Sequence, residues 1–150
     1  MRAPSKRPVT LFLGVLPLMA VMAAAASPDI RLVDAVAERN TAVMRTLIKD
    51  GVDVNTARAD GATALLLAAH WDDREAIDLL LRAGANVNAA DDYGVTPLAR
   101  ACENGSAPTV TRLLEAGANP NATQANGLTP LMIAARTGNV LDVACTHRPV

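Results

Sequence analysis

Histidines and cysteines are among the side chains that most often act as nucleophiles, general bases or metal ligands. They are few: His70, Cys102, Cys145 and His147. No serine lies in a Gly-x-Ser-x-Gly setting, which presents the nucleophile in many hydrolases. The two cysteines lack the close pairing of a metal site. We therefore predict a protein that is not an enzyme, with no catalytic residue, no metal and no cofactor.

The elements that carry these side chains repeat along the sequence. Glycine and asparagine recur with a period of 33 residues in three series: Gly51, Gly84 and Gly117; Asn55, Asn88 and Asn121; Gly61, Gly94 and Gly127. A fixed period between about 20 and 50 residues is typical of proteins built from stacked repeats. We therefore predict one repeat domain, because a chain of 150 residues allows a single domain.

The stretch from Gly94 to Asn126 predicts two short helices. Thr96 can cap the first helix, and Pro97 fits its first position, where a missing N–H costs nothing. This helix has one apolar face: Leu98, Ala101 and Cys102. Pro108 lies in the first turn of a second helix that ends at Gly117. Its apolar face is made of three residues: Val110, Leu113 and Leu114.

At these residues the chain resembles an ankyrin-repeat protein. Three stretches carry the resemblance: Gly-Val-Thr-Pro-Leu at 94–98, Leu-Leu-Glu-Ala-Gly-Ala-Asn at 113–119 and Gly-Leu-Thr-Pro-Leu at 127–131. The resemblance covers roughly residues 29–143 and implies an all-α solenoid of helix–turn–helix repeats joined by β-hairpin-like loops. The domain would span residues 27–150. About three and a half repeats are implied: about 28–60, 61–93, 94–126 and an incomplete 127–150.

Three of these repeats depart from the family pattern. The first has no Gly-x-Thr-Pro opening at residues 29–31. In the second, Asp72 replaces the glycine between the helices. In the fourth, Thr146 and His147 stand where the second helix should have two leucines. A fragment and a tail replaced after about residue 143, for example by a shifted reading frame, both explain this ending.

The resemblance also implies where a partner binds. Ankyrin repeats bind proteins on a concave face made from the hairpin tips and the exposed side of each first helix. These contact positions, the candidate surface, fall on the following residues: Asp60, His70, Trp71, Asp92, Tyr93, Val95, Glu103, Asn104, Asn126, Leu128 and Arg136. Trp71 and Tyr93 are the only aromatic residues after position 26, and both types are over-represented at interface hot spots. In the alternative interpretation, Trp71 only covers the backbone of the turn at Asp72 and Asp73.

Cys102 and two glycosylation-like tripeptides have structural explanations. Cys102 falls at the position of Ala69 and Ala135, which predicts a small core residue, and a redox or pairing role is the alternative. A disulfide with Cys145 would suit an oxidising compartment, although the family geometry points the two side chains apart. The tripeptides at 104–106 and 121–123 coincide with ordinary turns of the repeat.

Residues 1–26 have the three parts of a secretory signal peptide. Their start is basic, residues 9–22 are largely apolar, and the alanines at 23–26 provide small-x-small cleavage sites. We predict cleavage before Ser27 and an exported protein of bacterial type, periplasmic or secreted. Because residues 9–26 also reach the lower limit of a membrane-spanning length, an uncleaved N-terminal anchor is the alternative.

The charge of the predicted mature protein gives no support for nucleic-acid binding. The formal net charge is −1, and without the basic leader 11 basic and 15 acidic residues remain. We predict a monomeric, non-catalytic scaffold that binds a protein partner and no small-molecule substrate. The resemblance adds a link with oxidative-stress defence, known for some exported bacterial ankyrin proteins. A membrane-tethered scaffold, if the leader is retained, and a truncated product without independent function are the alternatives.

Overall fold

The computed structural model describes residues 29–138 of the chain. These residues form seven α-helices: α1 (Arg31–Ala37), α2 (Thr41–Lys49), α3 (Ala64–His70), α4 (Arg74–Arg82), α5 (Pro97–Asn104), α6 (Ala107–Glu115) and α7 (Pro130–Thr137). This range contains no strand, only an isolated antiparallel bridge between Ala57 and Thr63. The predicted all-α repeat solenoid is therefore confirmed, with two helices in each of three repeats and α7 opening a fourth. The leader and the irregular ending, with Cys145, Thr146 and His147, lie outside the described residues.

Threonine side chains begin the first helices of the second, third and fourth repeats. The hydroxyl oxygens of Thr63, Thr96 and Thr129 accept hydrogen bonds of 3.2 to 3.3 Å from the backbone N–H three residues on. Each bond satisfies one of the N–H groups that a helix leaves unpaired at its start. In the first repeat, Ile30 occupies this position and makes no side-chain cap. The missing Gly-x-Thr-Pro opening therefore has a structural cost at α1.

The turn between the two helices of each repeat places one residue in the left-handed region. The residue there is Arg39, Asp72, Gly105 and Gly138 in the four repeats, with φ of 56°, 51°, 69° and 79°. Glycine adopts this conformation without strain, whereas other residues pay for it. Asp72 gains a compensating contact, because its Oδ1 accepts a hydrogen bond of 2.5 Å from the hydroxyl of Thr109 in the next repeat.

The core lies between the helices of successive repeats. The first helices pack in order, α1 on α3, α3 on α5 and α5 on α7. The same leucine position is fully buried in three repeats: Leu32, Leu65 and Leu98. Burial of one leucine side chain stabilises the fold by about 1.5–3 kcal/mol. Cys102 is buried beside Ala101, which confirms its prediction as a small core residue.

Hairpin-like loops connect the repeats and are joined to each other along the stack. Within each loop, a backbone N–H bonds to the carbonyl four residues on, with N–O distances of 2.9 to 3.1 Å: Arg58 to Ala62, Asp91 to Val95 and Gln124 to Leu128. Between loops, the N–H of Asp92 donates to the carbonyl of Asp60 at 3.1 Å. The N–H of Ala125 donates to the carbonyl of Tyr93 at 2.8 Å. The hairpin tips are therefore held at a fixed spacing.

Between residues 29 and 138, no helix has the length and apolar character needed to cross a membrane.

Candidate functional site

The exposed members of the candidate surface form two rows that the repeat brings together. One row lies at the hairpin tips: Asp60, Asp92, Tyr93 and Asn126. The other lies at the C-terminal turns of the first helices: His70, Trp71, Glu103, Asn104 and Arg136. All of these residues are exposed. Their role in binding stays a prediction. The structure shows how exposed each of them is and which residues it contacts.

Two predicted contact residues are less exposed than the rest of the candidate surface. Val95 is buried and is part of the hydrophobic core, so its placement on the candidate surface is corrected. Leu128, at the equivalent position of the next repeat, is half-buried and packs against the same core. The physical reason is that burial of the apolar side chain that follows the hairpin glycine is more favourable than its exposure to water. Ala62 is buried at this position in the second repeat.

The side chain of Trp71, in the helix row, is held by contacts with Arg39 and His70. It follows the last residue of α3, and 47% of its surface is exposed. The guanidinium carbon of Arg39, from the preceding repeat, lies 6.0 Å from the centroid of the indole ring. Nη2 of Arg39 also donates to the carbonyl oxygen of Trp71 at 3.3 Å. The His70 ring also meets the indole edge-to-face, with 4.7 Å between centroids. These contacts orient the ring while half of it stays accessible.

Tyr93 is the most exposed of the large apolar and aromatic residues in the described part of the chain, at 71%. Its backbone is fixed from both sides. Its N–H donates to Oδ1 of Asp91 at 2.9 Å, and its carbonyl accepts from Ala125 in the next hairpin. The same Asp91 oxygen accepts from the N–H of Val95 at 2.9 Å. The ring of Tyr93 therefore projects from a rigid backbone into solvent.

Asn104 has a structural role that the sequence did not indicate. Its side-chain Nδ2 donates to the carbonyl oxygens of Ala69 and His70, at 3.0 and 2.8 Å. These carbonyls belong to the last turn of α3, where a helix leaves its C=O groups without intrahelical partners. Asn104 thus ties the C-terminal end of α5 to that of α3, and its donor N–H groups are already occupied.

The charges of the helix row are partly paired. Nη1 of Arg100 lies 2.9 Å from Oε2 of Glu103, and Nη2 lies 3.9 Å from Oδ2 of Asp91. Arg100 therefore joins the helix row to the base of the hairpin row. Arg39 and Arg100 are the residues of this surface that the sequence analysis missed. For Arg39 a signal existed, because it precedes Trp71 by 32 residues, nearly one repeat.

A separate pocket lies between the second helices α4 and α6. It has a volume of about 120 Å³ and is lined by six residues: Arg74, Ile77, Asp78, Pro108, Thr109 and Arg112. Nε of Arg112 donates to Oδ1 of Asp78 at 2.5 Å. This hydrogen bond raises the pKa of the Arg112 guanidinium above its ordinary value. The pocket shares no residue with the candidate surface. Among residues 29–138, no group of three or more His, Cys, Asp and Glu residues could hold a metal ion.

Comparisons with protein families agree with this architecture. The family described as ankyrin repeats (3 copies) matches residues 32–124, and a single ankyrin repeat matches residues 126–146. A search of curated proteins finds no match to the chain. The first family match alone covers more than half of the sequence, and its limits enclose α1 to α6 almost completely. The chain therefore belongs to the ankyrin-repeat family.

Proposed function

We propose that this protein binds a protein partner through the candidate surface, with Trp71 and Tyr93 as its anchors. Ankyrin repeats are in general protein–protein interaction modules. The observation that carries the proposal is the exposure of Trp71 and Tyr93, the only aromatic residues in the described range apart from histidine. Exposed aromatic residues on a rigid scaffold are typical of interface hot spots, because they bury a large area at little entropic cost.

The two anchors differ from the other exposed apolar residues of the described range. Ile30 and Val43 belong to the first repeat, and Leu131 and Met132 belong to α7. These four residues lie at the two ends of the described stack. The equivalent residues of the inner repeats pack against a neighbouring repeat. Trp71 and Tyr93 lie in the middle of the stack, where no further repeat can cover them. Partner binding therefore explains their exposure better than stacking does.

Photo-cross-linking identifies the partner. A photo-reactive phenylalanine analogue in place of Tyr93 should give a covalent adduct with a protein in intact cells, and mass spectrometry identifies that protein. The same analogue in place of Val43, an exposed residue outside the candidate surface, is the control. An adduct pattern shared by both positions, or the absence of any adduct at Tyr93, would contradict the proposal.

The affinity of the purified pair tests the role of Trp71. We expect Trp71→Ala to weaken binding by about 2 kcal/mol, with little change in the urea unfolding midpoint, because half of the ring is already in water. Isothermal titration calorimetry gives the first quantity and circular dichroism gives the second. Val43→Ala should leave the affinity unchanged. An equal loss of stability and affinity for Trp71→Ala would make Trp71 a structural residue that covers the turn at Asp72 and Asp73.

We propose further that the protein is exported and that its leader is removed. The support is the order of basic, apolar and small residues in residues 1–26, which lie outside the described part of the structure. Expression with the native leader should give a periplasmic or secreted protein whose intact mass corresponds to an N-terminus near Ser27. A full-length protein in the membrane fraction would instead support the tethered scaffold. The link with oxidative-stress defence stays a prediction of the resemblance.

A further inference from the structure

The hairpin row contains two carboxylates without a cationic partner in addition to the exposed aromatic ring of Tyr93. Asp60 and Asp92 are exposed, and neither forms an ion pair within residues 29–138. They lie on adjacent hairpins joined by the backbone hydrogen bond of 3.1 Å from Asp92 to Asp60. Tyr93 follows Asp92 directly. The tips therefore combine two accessible negative charges with an accessible aromatic ring.

The helix row indicates which ligand group an aromatic ring of this surface accepts. The indole of Trp71 already has the guanidinium of Arg39 beside it, with 6.0 Å from Cζ to the ring centroid. A cation is attracted to the negative face of an aromatic ring, and the attraction is strongest for tryptophan. Tyr93 has the same kind of face, and no cation of the described chain lies over it. The contact between Arg39 and Trp71 within the chain thus indicates how a cation of the partner could contact the ring of Tyr93.

The charges of the hairpin row favour one class of partner. Both charged residues of this row, Asp60 and Asp92, are acidic, whereas the helix row has the carboxylate of Glu103 and the guanidiniums of Arg136 and, beside Trp71, Arg39. Arg100 neutralises Glu103, whereas the pair at the hairpin tips is free of such contacts. An acidic partner segment would meet repulsion there, and a neutral one would leave two carboxylates to be desolvated without compensation.

We propose that the partner presents a basic segment, with arginine or lysine side chains that lie against Tyr93 and pair with Asp60 and Asp92. This inference rests on the proposed function and adds the chemical class of the segment that is bound. Arginine suits the site best, because its planar guanidinium can stack on a ring and donate to a carboxylate at the same time. The binding should weaken with salt, since these charges are exposed.

A peptide selection tests the inference without knowledge of the partner. A display library of random dodecapeptides is selected on the immobilised full chain, and the arginine and lysine content of the enriched peptides is compared with that of the input library. The best enriched peptide is then synthesised with a fluorescent label. Its affinity is measured by fluorescence anisotropy at low and high salt for the unmodified chain and its variants.

The variants separate a specific site from general electrostatic attraction. Asp60→Asn with Asp92→Asn removes two charges from the hairpin tips. Asp50→Asn with Glu115→Gln removes two exposed charges that lie outside the candidate surface. We expect the first pair to weaken binding about tenfold, as two exposed charge contacts would predict, and the second pair to change it less than twofold. Trp71→Ala should weaken binding by at least tenfold.

Each outcome bears on one of the two proposals. Enriched peptides that are basic and lose affinity with Asp60→Asn and Asp92→Asn, and not with the control pair, support the inference. Equal losses with both pairs would contradict it, because the attraction would then be non-specific. Enriched peptides without an excess of arginine and lysine would overturn the basic partner. If those peptides still required Trp71, the proposed function would stand. A selection that enriches nothing over the blank support contradicts both proposals.

Discussion

At the scale of single residues, Gly94 shows how two separate constraints act on one position. Its φ is 75°, in the left-handed region that favours glycine. A Cβ atom at this residue would also meet backbone atoms of the next hairpin, with Cα of Gln124 at 3.2 Å and the nitrogen of Ala125 at 3.3 Å. Gly117 has a φ of 91°, and a Cβ there would meet nothing within 4 Å. The pair therefore separates backbone conformation from close approach.

We expect Gly94→Ala to lower the free energy of unfolding more than Gly117→Ala does. In both variants the left-handed conformation should lower the free energy of unfolding by about 1–2 kcal/mol. Gly94→Ala should lose about 1–3 kcal/mol more, because backbone atoms of the next hairpin cannot move away as a flexible side chain would. Urea unfolding followed by circular dichroism measures both. Equal losses in the two variants would show that the hairpins have room to separate.

At the scale of elements, regularly spaced asparagines link the loops of successive repeats. Nδ2 of Asn88 donates to the carbonyl of Gly117 at 3.2 Å, and its Oδ1 accepts from the N–H of Asn119 at 2.7 Å. Asn55 makes the same two contacts one repeat earlier, with Gly84 and Asn86. The side chains of Asn55 and Asn88, which are 33 residues apart, thus bond to the next repeat in the same way.

Asn88→Ala should therefore destabilise the stack, and Asn121→Ala should not. Each net hydrogen bond contributes about 0.5–1.5 kcal/mol, so we expect a loss of about 1–3 kcal/mol for Asn88→Ala. Asn121 occupies the same position of the third repeat, and within residues 29–138 its side chain makes no hydrogen bond. Its replacement should change stability by less than about 0.5 kcal/mol. Thermal unfolding of the two variants tests this difference, and a loss as large in Asn121→Ala would contradict the proposed linkage.

At the scale of the whole molecule, equivalent apolar residues of the first helices are buried to different degrees along the described stack. Leu131 and Met132 of α7 are 43% and 54% exposed, whereas Leu98 and Ala99, their equivalents in α5, are buried. In repeat proteins, stability is roughly the sum of the stability of each repeat and of its interfaces with its neighbours. Helix α7 packs on α5, whereas α3 and α5 each pack on a first helix at both sides. The fourth repeat should be the first to open.

Hydrogen exchange measured by mass spectrometry should show this gradient. We expect the amides of α7 to exchange about 10- to 100-fold faster than those of α3 and α5, because local opening requires less free energy where fewer apolar contacts are lost. Peptides that cover α3 and α5 serve as internal references in the same experiment. Protection of α7 equal to that of α5 would show that the C-terminal part of the stack is not its weak point.

The sequence by itself determined the repeat, its helices and most of its exposed residues. The period of 33 residues placed Thr96, Pro97 and Gly117 at the positions where the structure has a cap, a first helical residue and a left-handed turn. These features depend on neighbours a few residues away, so local chemistry is enough to predict them. The same holds for Cys102, whose alanine equivalents in other repeats marked a small core position.

Only the tertiary structure decided what each equivalent position touches. The period could not show that Val95 turns inward, that Asn104 is bound to α3, or that the guanidinium of Arg39 lies beside Trp71. These contacts join residues about one repeat apart, and each depends on which side chain the neighbouring repeat presents at that height. A repeat pattern states which positions are equivalent. It does not state which of them meet across an interface, because that follows from the stacking of the repeats in space.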